Sequence, residues 1–286
     1  MANHRQVPLV TTRFAPSPTG RLHLGHAWSA LLAHDRARNA GGRFLLRIED
    51  IDSGRCRPEF VESIFEELRW LGLKWDDEVL FQSTRGAAYA AALDRLREAD
   101  LLYVCTCTRA EIAASAPQGP QGAVYPGNCR TLNRAPGSAV PHCWRLDMGR
   151  AVAMAGPLEW EDEIARAIVA NPSAQGDVVI ARKDAAASYH LAVTVDDAFQ
   201  GVTHVVRGRD LFEATHIHRL LQALLGLGTP MYRHHPLMID ADGERLAKRR
   251  DSATIAALRA SGRDPALLVA DLRRGHFPIG FAATIP

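Results

Sequence analysis

Two groups of residues in this 286-residue chain have the types and spacing to do chemistry. The first is His23-Leu24-Gly25-His26, which follows a Pro/Gly turn and opens a helical stretch. Imidazoles at i and i+3 share one face of a helical turn, so both can aim at the same ligand. A helix start also offers unpaired N–H groups and the positive end of the dipole, and Gly25 lets a phosphate or ribose approach the backbone. Out of context, the same residues read as two surface histidines around a helix-initiating glycine. The second group is Cys105-Thr106-Cys107 followed by Tyr125-Pro126-Gly127-Asn128-Cys129. Three thiolates suit a tetrahedral structural metal such as zinc, with one position left to fill. A tyrosine oxygen from Tyr125 could fill it, and His142 and Cys143 are rivals; free thiols are the alternative. Cys56 lies apart and reads as an ordinary half-buried thiol.

The elements that must position these groups follow an α/β rhythm. Residues 9–12 form a short β-rich run ending in Ala15-Pro16-Ser17-Pro18-Thr19-Gly20, a turn cluster. A helix is predicted over 26–39, stopped by Gly41-Gly42, and a second strand over 44–48. Phe60, Ile64, Leu68 and Leu71 place an amphipathic helix over 58–71, and residues 83–99 read as another, capped by Ser83 or Thr84. Strand, crossover helix, strand is the pattern of a parallel sheet. The rhythm breaks after Leu102, and the stretch over 116–141 is too dense in proline and glycine for a regular element. Residues 103–175 are therefore expected to form an inserted subdomain between two catalytic halves, 8–102 and 176–250. Such an insertion has little core, and a metal clip would supply the missing folding energy. Strand signals return at 177–181 and 202–206, a long helix is predicted over 210–225, and two short helices over 254–260 and 265–273.

Composition narrows the class. Lys plus Arg total 34 against 32 Asp plus Glu, with 47% apolar residues and 23% charged, which is the balance of a globular chain and not of a disordered one. No apolar run approaches the roughly 18 residues that span a bilayer, and residues 1–8 lack the apolar stretch of a secretory signal. Five cysteines, an odd number, argue against a disulfide scaffold. A cytoplasmic, membrane-free enzyme is the expectation. A near-neutral total does not exclude nucleic acid, because a basic face can be offset by an acidic one.

The run Thr12-Arg13-Phe14-Ala15-Pro16-Ser17-Pro18-Thr19-Gly20 into His23-Leu24-Gly25-His26 resembles the signature of class I glutamyl-tRNA synthetases. Residues 44–52 (FLLRIEDID), 189–193 (YHLAV) and 201–211 (GVTHVVRGRDL) resemble later motifs of that family in the right order. Arg245-Leu246-Ala247-Lys248-Arg249 stands in the place of its Lys-Met-Ser-Lys-Ser loop, with Ala247 where serine is usual, a departure that removes one hydroxyl contact to ATP. The resemblance implies a Rossmann-like class I catalytic core that activates glutamate with ATP and Mg2+. In that chemistry a carboxylate attacks the α-phosphorus and no protein nucleophile is needed, so catalysis is positioning and charge stabilisation. By resemblance His23, His26 and Lys248 are catalytic, and Pro16, His23, Gly25, His26 and Lys248 bind ATP. Arg13, Ala15, Ser17, Glu49, Tyr189 and Arg207 would bind glutamate: arginines on the two carboxylates, Glu49 on the ammonium. Taken singly, each arginine is a surface ion pair worth about 0–1 kcal/mol.

The cysteine pattern resembles the C-x-C…Y-x-x-x-C zinc site of one synthetase subfamily, which implies one structural Zn2+ on Cys105, Cys107, Tyr125 and Cys129. Only residues 251–286 follow Arg250, fewer than the roughly 40 of an independent fold, so no anticodon-binding domain is expected. A short synthetase with that zinc pattern resembles the glutamyl-Q tRNA(Asp) synthetase family. The resemblance implies tRNA-independent activation of L-glutamate and its transfer to queuosine at the wobble position of tRNA(Asp), by a monomer docking the anticodon stem-loop. Unstacked loop bases and basic side chains suit such docking, with Arg233, Arg249, Arg250, Arg273 and Arg274 as candidate phosphate contacts. The alternatives are a minimal glutamyl-tRNA synthetase charging tRNA(Glu), another H-x-G-H nucleotidyltransferase, and a catalytically silent paralogue that binds tRNA or amino acid.

Overall fold

The first strand, β1 (Thr11–Phe14), is buried along its whole length and pairs in parallel with β2 (Arg43–Ile48). Parallel neighbours need a crossover, and helix α1 (Leu24–Arg38) supplies it. A second crossover, α2 (Pro58–Trp70), leads to β3 (Asp76–Phe81), parallel to β2. This α/β arrangement with a parallel sheet is the expected class. β3 went unforeseen because Asp76-Asp77-Glu78 reads as a loop; Asp77 sits at φ 58, and only the Val-Leu-Phe end has strand composition. In this computed structural model the described residues are 9–119, 122–132, 141–240, 254–278 and 280–284.

The chain divides into two compact units. One comprises Met1–Gln82, Gly201–Asp210 and Pro230–Pro286; the other comprises Ser83–Gln200 and Leu211–Thr229. In the first, a further parallel pair, His204–Gly208 with Met231–His235, joins the sheet region through Thr203, whose N–H donates to Thr11 O at 2.9 Å. Phe14, Leu31, Phe44, Leu46, Ile64 and Leu68 form the middle of its core. The helix Pro265–Arg273 buries Leu268 and Leu272 against that core; Asp264 caps it and proline occupies its first turn. Strand Phe281–Ala283 pairs antiparallel with Met238–Asp240, which no sequence pattern announced.

The second unit holds a three-stranded antiparallel sheet of Leu102–Cys105, Cys143–Leu146 and Val179–Ala181. The segment expected to be the insertion, 103–175, falls within this unit. Among the described residues, its proline- and glycine-rich stretch carries two two-residue strands, Gln118–Gly119 and Gly122–Ala123. Two expectations need correction here. Helix Gly86–Glu98 is not capped by Ser83 or Thr84: a 3-10 turn, Gln82–Arg85, precedes it, and its N-cap is Arg85 without a side-chain bond. The helix expected over 210–225 is Ala214–Leu224, because Arg209–Leu211 forms a separate 3-10 turn; Ile217, Leu220 and Leu221 are buried on one face as read. Among the described residues no helix is long and apolar enough to cross a membrane.

α2 also reaches back to the turn before α1. Glu67, 2% exposed, accepts the Leu22 N–H at 3.2 Å and the Ser63 hydroxyl at 2.9 Å. Burial pushes its carboxyl above the ordinary value of 4.5, against the opposing hydrogen bonds from Ser63 and Leu22. A group raised in the folded state contributes stability below its unfolded value and loses it as pH rises through the folded value. Glu67→Gln has no such loss, so its melting temperature relative to the parent should climb between pH 4 and 7. A difference that stays flat across a thermal-unfolding pH series would contradict the assignment.

Candidate active site and metal cluster

His23 has extended backbone, φ −112° and ψ 173°, and serves as the N-cap of α1. Its N–H donates to His26 Nδ1 at 3.2 Å. With Nδ1 accepting, a neutral His26 carries its proton on Nε2, the ring edge away from the backbone. The two imidazoles stack with centroids 3.7 Å apart at 29°. Gly25 was read as an opening for ligand, but the structure gives it a second duty. A Cβ there would lie 3.0 Å from His23 Cε1 and 3.1 Å from His23 Nδ1, so the His23 ring occupies the space a side chain would take.

A pocket opens on these rings, lined further by Trp28, Ser29, Gly208, His235 and Met238. The buried His235 ring donates from Nδ1 to Pro236 O at 2.7 Å and accepts from the Ser29 hydroxyl at Nε2, 3.0 Å. Burial pushes its pKa below the ordinary 6.5, so the ring is neutral at pH 7 and its tautomer is set by the carbonyl. A Cβ at Gly208 would stand 2.5 Å from Asp210 Oδ1 and 2.8 Å from Leu237 Cδ2, so a side chain there would displace the ends of both. Sequence reasoning did not single out Ser29 or His235. His235 follows another histidine in a strand and has no spacing that distinguishes it from a core imidazole.

The expected glutamate contacts divide between the two units. Arg13 is next to last in β1, Arg207 is next to last in His204–Gly208, and Glu49 directly follows β2. All three therefore sit at carboxyl ends of strands, where open α/β sheets bind ligands. Both arginines are 5% exposed. Arg13 Nη1 donates to Val206 O at 3.4 Å, which ties it to the strand that carries Arg207. Arg207 Nε donates to His234 Nε2 at 3.0 Å, and its guanidinium lies 5.4 Å from the Tyr232 ring centre. Glu49 N–H donates to Pro16 O at 3.0 Å, which brings Ala15, Pro16 and Ser17 to the same rim; its carboxylate lies 3.4 Å from the fully buried Arg47. Tyr189 belongs to the other unit, where it opens helix Tyr189–Phe199 half-exposed beside the His190 and His218 rings. Lys248 lies outside the described residues, with Arg245, Ala247, Arg249 and Arg250. Of the candidate phosphate contacts, Arg273 is engaged by both Asp35 oxygens at 2.7 Å and Arg274 by Asp271 at 3.2 Å. Chemically, the first unit offers imidazoles at a helix start, and two buried guanidiniums and one carboxylate at strand ends, a set that suits a phosphorylated ligand and an acidic one bearing an ammonium.

In the second unit the three sulfurs of Cys105, Cys107 and Cys129 lie within 4.8 Å of one another. Tyr125 Oη is 3.4 Å from both Cys105 Sγ and Cys107 Sγ, and Cys107 Sγ is 3.5 Å from Cys129 Sγ. A tetrahedral zinc with three sulfurs and one oxygen has edges of about 3.5–3.8 Å, so this donor set fits one ion. The Cys129 N–H donates to Tyr125 Oη at 2.9 Å and holds the phenol in place. Of the rival donors, Cys143 Sγ turns to Cys105 O at 3.4 Å, and His142 packs edge-on against Trp144. The Cys105 thiol is pulled down to about 3, first by the Cys143 S–H and then by the Tyr125 hydroxyl and Arg145, so it favours the thiolate a metal needs.

The chain matches the family described as tRNA synthetases class I (E and Q), catalytic domain, over residues 9–282. It belongs to that family. The glutamyl-Q tRNA(Asp) synthetase of Rhodobacter capsulatus is 52% identical over 279 residues, 92% of this chain and 98% of that protein. That of Symbiobacterium thermophilum is 44% identical, over 91% of this chain and 84% of its own. A solved glutamate-tRNA synthetase from Elizabethkingia anophelis superposes with a TM-score of 0.70 at 28% identity, over 84% of this chain. The chain spans about half of that structure's length, 52%. Family membership places the protein among the class I aminoacyl-tRNA ligases.

Gly25→Ala separates the site from the fold. Alanine suits a helix better than glycine by up to about 1 kcal/mol, so thermal stability should hold or rise. The displaced His23 ring should cost ATP-dependent activity about 10²-fold, the scale of an ångström misplacement at a reacting centre. Full activity in the variant would remove His23 from the ATP site.

Proposed function

We propose that this protein activates L-glutamate with ATP, without tRNA, and transfers it to queuosine at the wobble position of tRNA(Asp). The observation that carries the reading is the pair of buried guanidiniums, Arg13 and Arg207, set with Glu49 at strand ends in the unit that holds the stacked His23–His26 rings. The glutamate α-carboxylate attacks the α-phosphorus of ATP and the bond to pyrophosphate breaks, leaving glutamyl adenylate. A hydroxyl of the queuosine cyclopentenediol then attacks the acyl carbonyl and AMP leaves. Pro16, Gly25 and the imidazoles of His23 and His26 meet ATP, which brings its Mg2+, and Lys248 meets the departing pyrophosphate. Arg13 and Arg207 bind the carboxylates, Glu49 the ammonium, and Ala15 and Ser17 complete the amino-acid site in that unit. Zinc on Cys105, Cys107, Tyr125 and Cys129 supplies structural cross-linking of the second unit. The protein works as a cytoplasmic monomer that docks the anticodon stem-loop. Near-full-length relatives bearing the name glutamyl-Q tRNA(Asp) synthetase support this acceptor. The likeness to a glutamate-tRNA synthetase favours the second reading, a minimal enzyme charging tRNA(Glu).

Labelled glutamate offered with queuosine-containing tRNA(Asp), queuosine-free tRNA(Asp) and tRNA(Glu) decides between them. Label is expected on the queuosine-containing tRNA(Asp) alone; label on tRNA(Glu) would establish the second reading. Within the pocket, charge-assisted hydrogen bonds contribute about 1.5–3 kcal/mol, so Arg207→Ala should lower glutamate-driven ATP–pyrophosphate exchange roughly 10- to 100-fold while the circular dichroism stays native. Exchange at the parental rate would refute the role given to Arg207.

A further inference from the structure

Arg145 is a buried cation whose natural counter-charge is missing from its carboxylate neighbours. It sits on strand Cys143–Leu146 and is 8% exposed. Its guanidinium lies flat over the Tyr125 ring, Cζ 3.8 Å from the centroid, and Nη1 donates to Asp177 O, a backbone carbonyl, at 2.6 Å. Nε is buried without a hydrogen-bond acceptor among the described residues. The obvious acid, the Asp177 carboxylate, is already engaged. Its Oδ2 accepts Arg130 at 2.8 and 2.6 Å and the Tyr103 hydroxyl, and its Oδ1 accepts the Met148 N–H at 3.0 Å. No ion pair joins Arg145 to any carboxylate among the described residues.

A cation taken out of water with no anion beside it destabilises the fold. The chemistry at hand that reverses the sign is the donor cluster to which the same tyrosine belongs, its hydroxyl 3.4 Å from the Cys105 and Cys107 sulfurs. Three thiolates around one divalent ion leave a net charge of −1, and one guanidinium brings the assembly to neutrality. A planar cation stacked on a liganding ring also fixes that ring's orientation, as outer partners of metal ligands do.

We propose that Arg145 is the built-in counter-ion of the metal–thiolate cluster formed by Cys105, Cys107, Tyr125 and Cys129. It is a positioning residue: it touches no substrate and acts through the tyrosine and the cluster charge. The proposal rests on the metal reading given above. It makes the cation costly to the metal-free protein and favourable to the loaded one, which a purely packing role would not do.

The test uses the full-length protein. Zinc affinity is read by competition with a chromogenic chelator, and melting temperature is read before and after zinc is stripped. Arg145→Met, similar in length and uncharged, should bind zinc about 10- to 100-fold more weakly, the usual loss on removing an outer partner. Arg145→Lys should recover most of the affinity. The loaded methionine variant should melt below the loaded parent, and after stripping the gap should vanish or reverse. Parental zinc affinity in Arg145→Met, or the same melting deficit in both states, would overturn the proposal. Should that variant not fold, Arg145→Gln undergoes the same comparison, and parental affinity there overturns it equally. A parent that takes up no zinc removes the metal reading and the proposal together, whereas a parent that binds zinc beside a variant that binds it equally well removes the proposal alone.

Discussion

The structure depends on holding one short turn, residues 20–23, in a single conformation. β1 and β2 are parallel, so the chain must leave the carboxyl end of β1, cross, and enter α1 at the same end of the sheet. Leu22 is the residue where that reversal is pinned. Its N–H is taken by Glu67 from α2, and its carbonyl accepts the Ile255 N–H at 2.9 Å. His23 forms an isolated bridge to Thr254. The segment that begins at residue 254 thus holds the turn that opens α1. The amino end of α1, with its stacked imidazoles, is clamped from two later parts of the chain before any ligand arrives.

Buried polar groups follow the same economy around the site. His235 is neutral because burial disfavours its charged form, and the Pro236 carbonyl and the Ser29 hydroxyl fix its tautomer. His26 is oriented by a backbone N–H, which points its other nitrogen away from the main chain. Orientation through main-chain groups adds no countercharge. A donor aimed in this way is not held by a competing carboxylate. Arg273, which Asp35 holds through two oxygens, shows the opposite arrangement, in which a guanidinium joins one helix to another.

Much of this was legible from residue order. His23, Gly25 and His26 could be read because helix-start chemistry is local, and the helices 58–71 and 265–273 because apolar spacing and proline mark them. The grouping of Cys105, Cys107 and Cys129 could be read because their short spacing is of the kind that gathers side chains around one point. Several features could not be read in this way. β3 starts in three acidic residues and derives its strand character from its neighbour β2. The pairing of Phe281–Ala283 with Met238–Asp240 joins segments some forty residues apart, and no periodicity encodes that. His235 and Ser29 become a pair only after α1 has packed beside strand Met231–His235. Gly25 was assigned to ligand access because sequence shows the missing side chain but not the ring that fills its place.

The second unit shows why a poor core needs chemistry. Between Cys105 and Cys143 the chain has few apolar side chains, and its regular structure among the described residues is one seven-residue helix and two two-residue strands. What replaces a core is polar: Asp177 gathers Arg130, Tyr103 and Met148, while Tyr125 gathers three sulfurs and the Cys129 N–H. Arg130 follows Cys129 directly, so the carboxylate network and the sulfur cluster fasten adjacent residues of one loop. A loop fixed at consecutive residues by two unlike interactions loses most of its freedom without burying apolar area. Because ionic and thiolate contacts are directional, they set the loop's shape as well as its stability, and a catalytic protein can present a defined surface from a segment too rich in proline and glycine to form one by hydrophobic packing.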